Sequence, residues 1–216
     1  MKAEASGAYI SRCAMDDDER RRALQEALFC EQVLAKTKES VVLATLAGSA
    51  DVKQWDHFPP GDVFDPESGA QWYYHSHPSP DAREHGHFHC FLRPAGKDGP
   101  IHHLVAIGVD SKGRLLRLFT VNHWVTGDDW LPATALEPFL ARFDVHLNRP
   151  SYLVNRWLTG VVRLYEDEIR ALLHERDAHL ARYAEQTRQA GLDDRSLEVL
   201  SSLPVDLGQT ARKLLG

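Results

Sequence analysis

Cysteine is scarce in this chain. Cys13, Cys30 and Cys90 are odd in number, widely scattered and form no CxxC pair, which argues against a disulfide framework or a thiolate zinc site and leaves reduced thiols. No stretch approaches the about 18 apolar residues of a membrane-spanning helix, and the first fifteen residues lack a continuous apolar segment. Neither a signal peptide nor a membrane anchor is expected, and the expected location is the cytoplasm. Basic residues form no stripe and the formal net charge is −6, so nucleic acid is not an expected partner. Linker-like stretches are missing too. With 216 residues, 43% hydrophobic and 26% charged, the chain reads as one domain, 1–216, able to bury a sizeable core.

Histidine is what the chain has in abundance. His75, His77, His85, His87 and His89 are crowded into fifteen positions of the stretch QWYYHSHPSPDAREHGHFHCFLR, residues 71–93. Side chains on a strand alternate faces, so His75 and His77 share one face, as do His85, His87 and His89. Pro78-Ser79-Pro80-Asp81 between them holds turn formers, which predicts an antiparallel hairpin with imidazoles on both arms. Clustered histidines make poor core filler because they repel and resist desolvation, whereas neutral imidazole is a common ligand for transition metals. The pattern therefore predicts a metal site built on nitrogen and oxygen.

Residues 1–15 carry little pattern and are expected to be frayed. Residues 16–47 read as helical, with acids at the start and a break near Lys38-Glu39-Ser40. Residues 49–70 are dense in turn signals but contain Trp55, Phe58, Val63 and Phe64, which suggests a packed loop on a pocket rim. Strands are expected near 71–77, 85–93, 102–109 and 114–121. Thr134-Ala135-Leu136-Glu137 matches a capping box that opens a short helix through Phe143, with Pro138 in its first turn. Residues 152–187 carry a long apolar stripe at helical spacing, and one or two short helices are expected around Pro204, making 133–215 helical. The fold class that follows is α+β: a four-stranded antiparallel sheet over 71–121 with a histidine-lined face, packed against N- and C-terminal helices. Trp72, Tyr74, Phe88, Cys90 and Leu92 form its apolar face, while Tyr73 and the five histidines line the other. VNHWVTG at 121–127 and VNRWLTG at 154–160 agree at five of seven positions. They read either as a duplication or as two Trp anchors beside Asn and Thr-Gly turn chemistry.

Distance limits which histidines share an ion. At about 3.4 Å per residue, His85 and His89 are about 13–14 Å apart on a regular strand, whereas i,i+2 neighbours at about 7 Å can share a metal. A loop over 78–84 opposes His75 to His87 and sets His89 beside Tyr73. A loop longer by two residues pairs His77 with His87 instead, and a bulge at Gly86 would change the register. His75, His77 and His87 are the expected ligands in either register, with His85 and His89 as candidates for the fourth place or for a second ion. Glu84, the nearest carboxylate, can ligate, orient a histidine or act as base, and Tyr73 is the other catalytic candidate. His102, His103 and His123 are candidates for supporting contacts. The expected cofactor is a divalent transition metal, with Fe(II) favoured and zinc or copper as alternatives, acting on a small-molecule substrate. Oxidative chemistry is favoured over hydrolysis, with a non-enzymatic metal-binding or sensing role as a further alternative.

Two resemblances bear on these residues. WYYHSHP, EHGHFH, HHLVAIGVD, LFTVNHWVTGDDW and PSYLVNRWL together resemble an uncharacterised bacterial histidine-rich domain family over roughly residues 50–205, which implies no established activity. WYYHSHP is also similar to the zinc-binding HSHP signature of JAMM-type metalloproteases, which implies zinc held by His75, His77 and a downstream Asp. That Asp position is His89, the Ser position of the motif is Gly86, and no upstream Glu is evident. Histidines on a β-scaffold are similar to cupin sites as well, without the cupin Gly and Glu spacing.

Overall fold

A computed structural model of the chain describes residues 15–49, 53–77, 81–187 and 191–216. All of the segment expected to be frayed except Met15, and residues 78–80 of the hairpin turn, lie outside the described residues. Helix α1 (Asp17–Lys36) opens on Asp16, whose carboxylate accepts the backbone N–H groups of Asp18 and Glu19, and three acidic residues occupy its first turn. The break comes where the sequence suggests. Lys38 takes a left-handed φ of 61°, and α2 (Val41–Leu46) restarts on the Ser40 hydroxyl.

Five strands follow, β1 (Phe58–Phe64), β2 (Ala70–His75), β3 (Glu84–Leu92), β4 (His102–Asp110) and β5 (Leu115–Val121). Then come α3 (His123–Thr126), α4 (Ala133–Leu140), α5 (Tyr152–Leu164), α6 (Glu166–Thr187), a last strand β6 (Val199–Pro204) and α7 (Leu207–Leu215). The protein is α+β, but the sheet has six strands in the order β1-β2-β3-β4-β5-β6, all antiparallel. The expected four-strand sheet is thus corrected by a strand at each edge. Pro59, Pro60 and Gly61 read as loop, yet an edge strand tolerates proline because one row of its N–H groups has no partner. A register shift between Phe58 and Val63 absorbs the irregularity. β6 was hidden inside a stretch expected to be helical. It pairs Val199 with Val121 and Pro204 with Arg117, partners too distant in sequence for a local pattern to signal.

Other boundaries move as well. No side-chain cap forms at the start of α4, whose N-cap is Pro132. The carboxylate of Asp177 accepts the Ala133 N–H at 2.6 Å, so a partner from α6 replaces the Thr134 capping box, and Pro138 falls in the second turn. The long helix expected over 152–187 is two, divided at Tyr165, which caps α5. Asn122 and Asn155 of the repeated heptapeptide are both fully buried. The side-chain amide of Asn122 donates to the carbonyls of Gly191 and Leu197, and that of Asn155 to those of Leu147 and Arg149. Each ties down an irregular segment that has no ladder partners of its own.

The two faces of the sheet differ as their alternation implies. Trp72, Tyr74, Phe88, Cys90 and Leu92 join one continuous buried cluster with Leu24, Leu158, Val162 and Leu173 of the helices, each full burial of such a side chain stabilising by roughly 1.5–3 kcal/mol. Trp72 donates its indole N–H to Asn155 at 2.9 Å. The opposite face carries a smaller cluster of Ala106, Phe119 and Val121 beside the histidines. Among the described residues no helix is long and apolar enough to cross a membrane.

Candidate metal centre

The hairpin register decides which imidazoles meet. β2 and β3 pair His75 with His87 and Tyr73 with His89, which brings three rings into one buried patch. Nε2 of His75 lies 2.7 Å from Nε2 of His87 and 3.3 Å from Nε2 of His89. His77, just beyond the end of β2, completes the patch, its ring centroid 5.2 Å from that of His75 and 5.0 Å from that of His87. His75, His77 and His87 each offer a ring nitrogen, and these atoms all lie within 4.8 Å of one another. An ion with metal–nitrogen bonds of about 2.0–2.1 Å sets its ligand atoms roughly 3.0–3.4 Å apart, so small ring rotations would seat one.

His85 is not brought to this patch. The register shifts between Glu84 and Gly86, and the extra residue turns His85 towards the hydroxyl of Tyr74, 2.6 Å from its Nδ1. The bulge breaks the strict alternation that had put His85 with His87 and His89. Gly86 is required there. A Cβ at that position would collide with the Tyr74 hydroxyl and lie 2.5 Å from the carbonyl oxygen of His75.

Glu84, also displaced by the bulge, faces His87. Its Oε1 lies 2.9 Å from Nδ1 of His87, and its Oε2 accepts from Nε of Arg117 at 2.6 Å. A second Arg117 nitrogen donates to Oε1 at 3.2 Å. With a carboxylate at its Nδ1, neutral His87 carries its proton there and presents a bare Nε2 to the patch. One nitrogen of His75 cannot then bond linearly to two neighbouring Nε2 atoms at once, whereas a cation between the rings would satisfy all their lone pairs. Gly108 makes room for the pair, since a Cβ there would lie 2.8 Å from Oε2 of Glu84.

Electrostatics favours lone pairs over protons. Burial, reinforced by His87, His77 and His57, drives the pKa of His75 from 6.5 to about 2. Burial also lowers that of His87, although Glu84 opposes it, and holds that of His89 well below the usual range. For Glu84, burial pushes the carboxyl up, but the hydrogen bonds from His87 and Arg117 together outweigh it and leave the group ionised. A patch of neutral imidazoles beside a fixed carboxylate suits a divalent cation.

Aromatic rings close the patch. Tyr73 is buried, 5.6 Å from His75 and 5.1 Å from His89 by ring centroids, and burial raises its hydroxyl pKa. Trp55 stacks on His77 at 4.2 Å, and His57 on Tyr73 at 3.6 Å. Of the candidate supporting histidines, His103 reaches the patch, its Nε2 3.0 Å from Nδ1 of His89. His102 lies elsewhere, against the carbonyl of Asp129 and the ring of Phe139, and His123 pairs with Asp193. Sequence reasoning missed Arg117 and His57. The first was within reach, because the period that puts Phe119 on this face puts Arg117 there too. Nothing in the local pattern pointed to His57.

Residues 21–205 match the family described as a domain of unknown function, DUF6969. The chain belongs to that family. All the residues of the patch fall inside the matched span, so the cluster is part of the shared domain and not an appendage to it. No curated protein and no solved structure matches the chain.

Proposed function

We propose that this DUF6969 domain is a metal-dependent protein that holds one first-row divalent ion through His75, His77 and His87, with His89 beside them. The observation that carries this reading is the convergence of three ring nitrogens, those of the buried His75 and His87 and of the half-buried His77, with the tautomer of His87 set from outside by the Glu84–Arg117 pair. Among candidate ions we favour Fe(II), because an all-nitrogen shell with a place left open supports redox chemistry with dioxygen on a small molecule. The chain's own part is to orient His87 through Glu84 and to screen the rings from water with the buried Tyr73 and Phe91, the latter 6.2 Å from His89 by ring centroids. A cleft of about 600 Å³ reaches His57, which stacks on Tyr73, and provides room for a substrate near the centre.

A JAMM-like zinc hydrolase needs a carboxylate free to activate water. Both oxygens of Glu84 are engaged by His87 and Arg117, which leaves Glu198, its carboxylate 4.0 Å from Nε2 of His77, as the group such a hydrolase would use. The test is anaerobic reconstitution with Fe(II) followed by oxygen-uptake measurements with candidate metabolites. Stoichiometric iron with substrate-dependent oxygen consumption is the expected result. Tightly held zinc that iron does not displace, with no oxygen consumed, would overturn the assignment, and a saturated ion without turnover would favour a storage or sensing role.

A further inference from the structure

The cleft next to the histidine patch has a chemical character of its own. Phe58, Pro59, Pro60 and Pro150 provide apolar surface, and Asp56 and His57 provide polar groups. Among the described residues that line it, Asp56 alone is formally charged. His57 is held from behind. Its Nδ1 lies 3.0 Å from Asp62, whose other carboxylate oxygen accepts from Gln71 at 2.8 Å. Gln71 in turn accepts from Arg93 at 2.7 Å. With Nδ1 committed to Asp62, Nε2 is the ring nitrogen that remains for a ligand. Asp62 keeps this pose with a left-handed φ of 56°, a conformation uncommon outside glycine, although Asp tolerates it better than most residues.

We propose that this cleft binds a small organic ammonium ion bearing a hydroxyl group. Asp56 faces the cationic head, the prolines and Phe58 cover its alkyl groups, and Nε2 of His57 accepts a hydrogen bond from the hydroxyl group. An anionic ligand would meet the carboxylate of Asp56, with that of Asp62 close behind. His57 also links the cleft to the proposed centre, its ring centroid 6.2 Å from that of His75, so the ligand's polar end would lie next to the histidines. The proposal rests on the metal reading for its purpose, since it names that centre's substrate class, but the binding itself does not depend on an ion.

Three probes of similar shape and different charge test it by titration calorimetry at low salt. These are choline, its neutral isostere 3,3-dimethylbutan-1-ol and the anion 3,3-dimethylbutanoate, none of which offers an amine lone pair to a metal. Choline is expected to bind about two- to five-fold more tightly than the alcohol, the scale of one exposed ion pair, and the anion to show no saturable binding. Asp56→Asn should bring choline to the level of the alcohol, whereas His57→Ala should weaken both. The proposal is overturned if choline does not bind or binds no better than the alcohol, if its advantage survives Asp56→Asn, if His57→Ala changes neither, or if the anion binds as well. Metal content is scored separately by elemental analysis. A metal-free protein that keeps the charge preference sinks the metal reading alone, and a metal-loaded protein without the preference sinks this proposal alone.

Discussion

Glu84 Oε1 lies 2.9 Å from Nδ1 of His87, and both side chains are almost completely buried. This contact decides which nitrogen of His87 faces the other imidazoles, and Arg117 decides where Glu84 points. Removing the charge without changing the shape, as in Glu84→Gln, should weaken metal binding by about 10–100-fold, the usual scale for the partner of a ligating histidine. Competition against a chelator of known affinity measures it. An affinity within two-fold of wild type would mean that the carboxylate does not set the tautomer.

Single substitutions should sort the histidines. His75→Ala, His77→Ala and His87→Ala are each expected to bring metal content close to background, whereas His85→Ala should leave it near wild type, because that ring turns towards Tyr74. Elemental analysis of the purified variants decides between this set and one that includes His85. Loss of metal from His85→Ala alone would reverse the assignment.

Acid should unfold the metal-free protein early. The pKa of His75 is near 2 in the folded chain against an ordinary 6.5, and those of His87 and His89 are lowered too. The unfolded state therefore binds more protons below about pH 6.5, so stability is complete above that value and is lost as pH falls towards the folded-state values. Each such proton contributes a slope of about 1.4 kcal/mol per pH unit. Denaturant titrations at pH 7, 6 and 5 should show that decline, and added metal should shift it to lower pH. Equal stability at pH 7 and pH 5 would show that the rings are not buried as described.

The bulge can be tested directly. Gly86→Ala places a methyl group against the Tyr74 hydroxyl and the His75 carbonyl, and the carbonyl belongs to a paired strand that yields little. A destabilisation of about 1–3 kcal/mol is expected, read as a fall of several degrees in Tm. An unchanged Tm would mean that the hairpin can re-register around the extra atom.

Much of the sheet was legible because strand alternation is a local property. Trp72, Tyr74, Phe88, Cys90 and Leu92 go to one face and Tyr73, His75, His87 and His89 to the other, as period two requires. The observed register is the one that the shorter hairpin loop implies. What escaped depended on distant partners. β1 hid behind its prolines, and β6 reveals itself only beside β5. His85 left its expected face at the bulge between Glu84 and Gly86 and meets Tyr74 on the neighbouring strand, and His57 reaches the site through a turn-rich segment without periodicity. The α4 cap was misjudged for the same reason, since Asp177 lies forty-four residues from the helix start.

The two flanking strands that were hard to read have a consequence for how these molecules meet in concentrated solution. β1 carries Pro59 and Pro60 as its second and third residues, and β6 ends on Pro204. A foreign strand that approaches the β1 border finds no backbone donor at Pro59 or Pro60, and a continuous run of hydrogen bonds is interrupted there. At that border the prolines work against sideways growth of a sheet rich in aromatic and branched side chains.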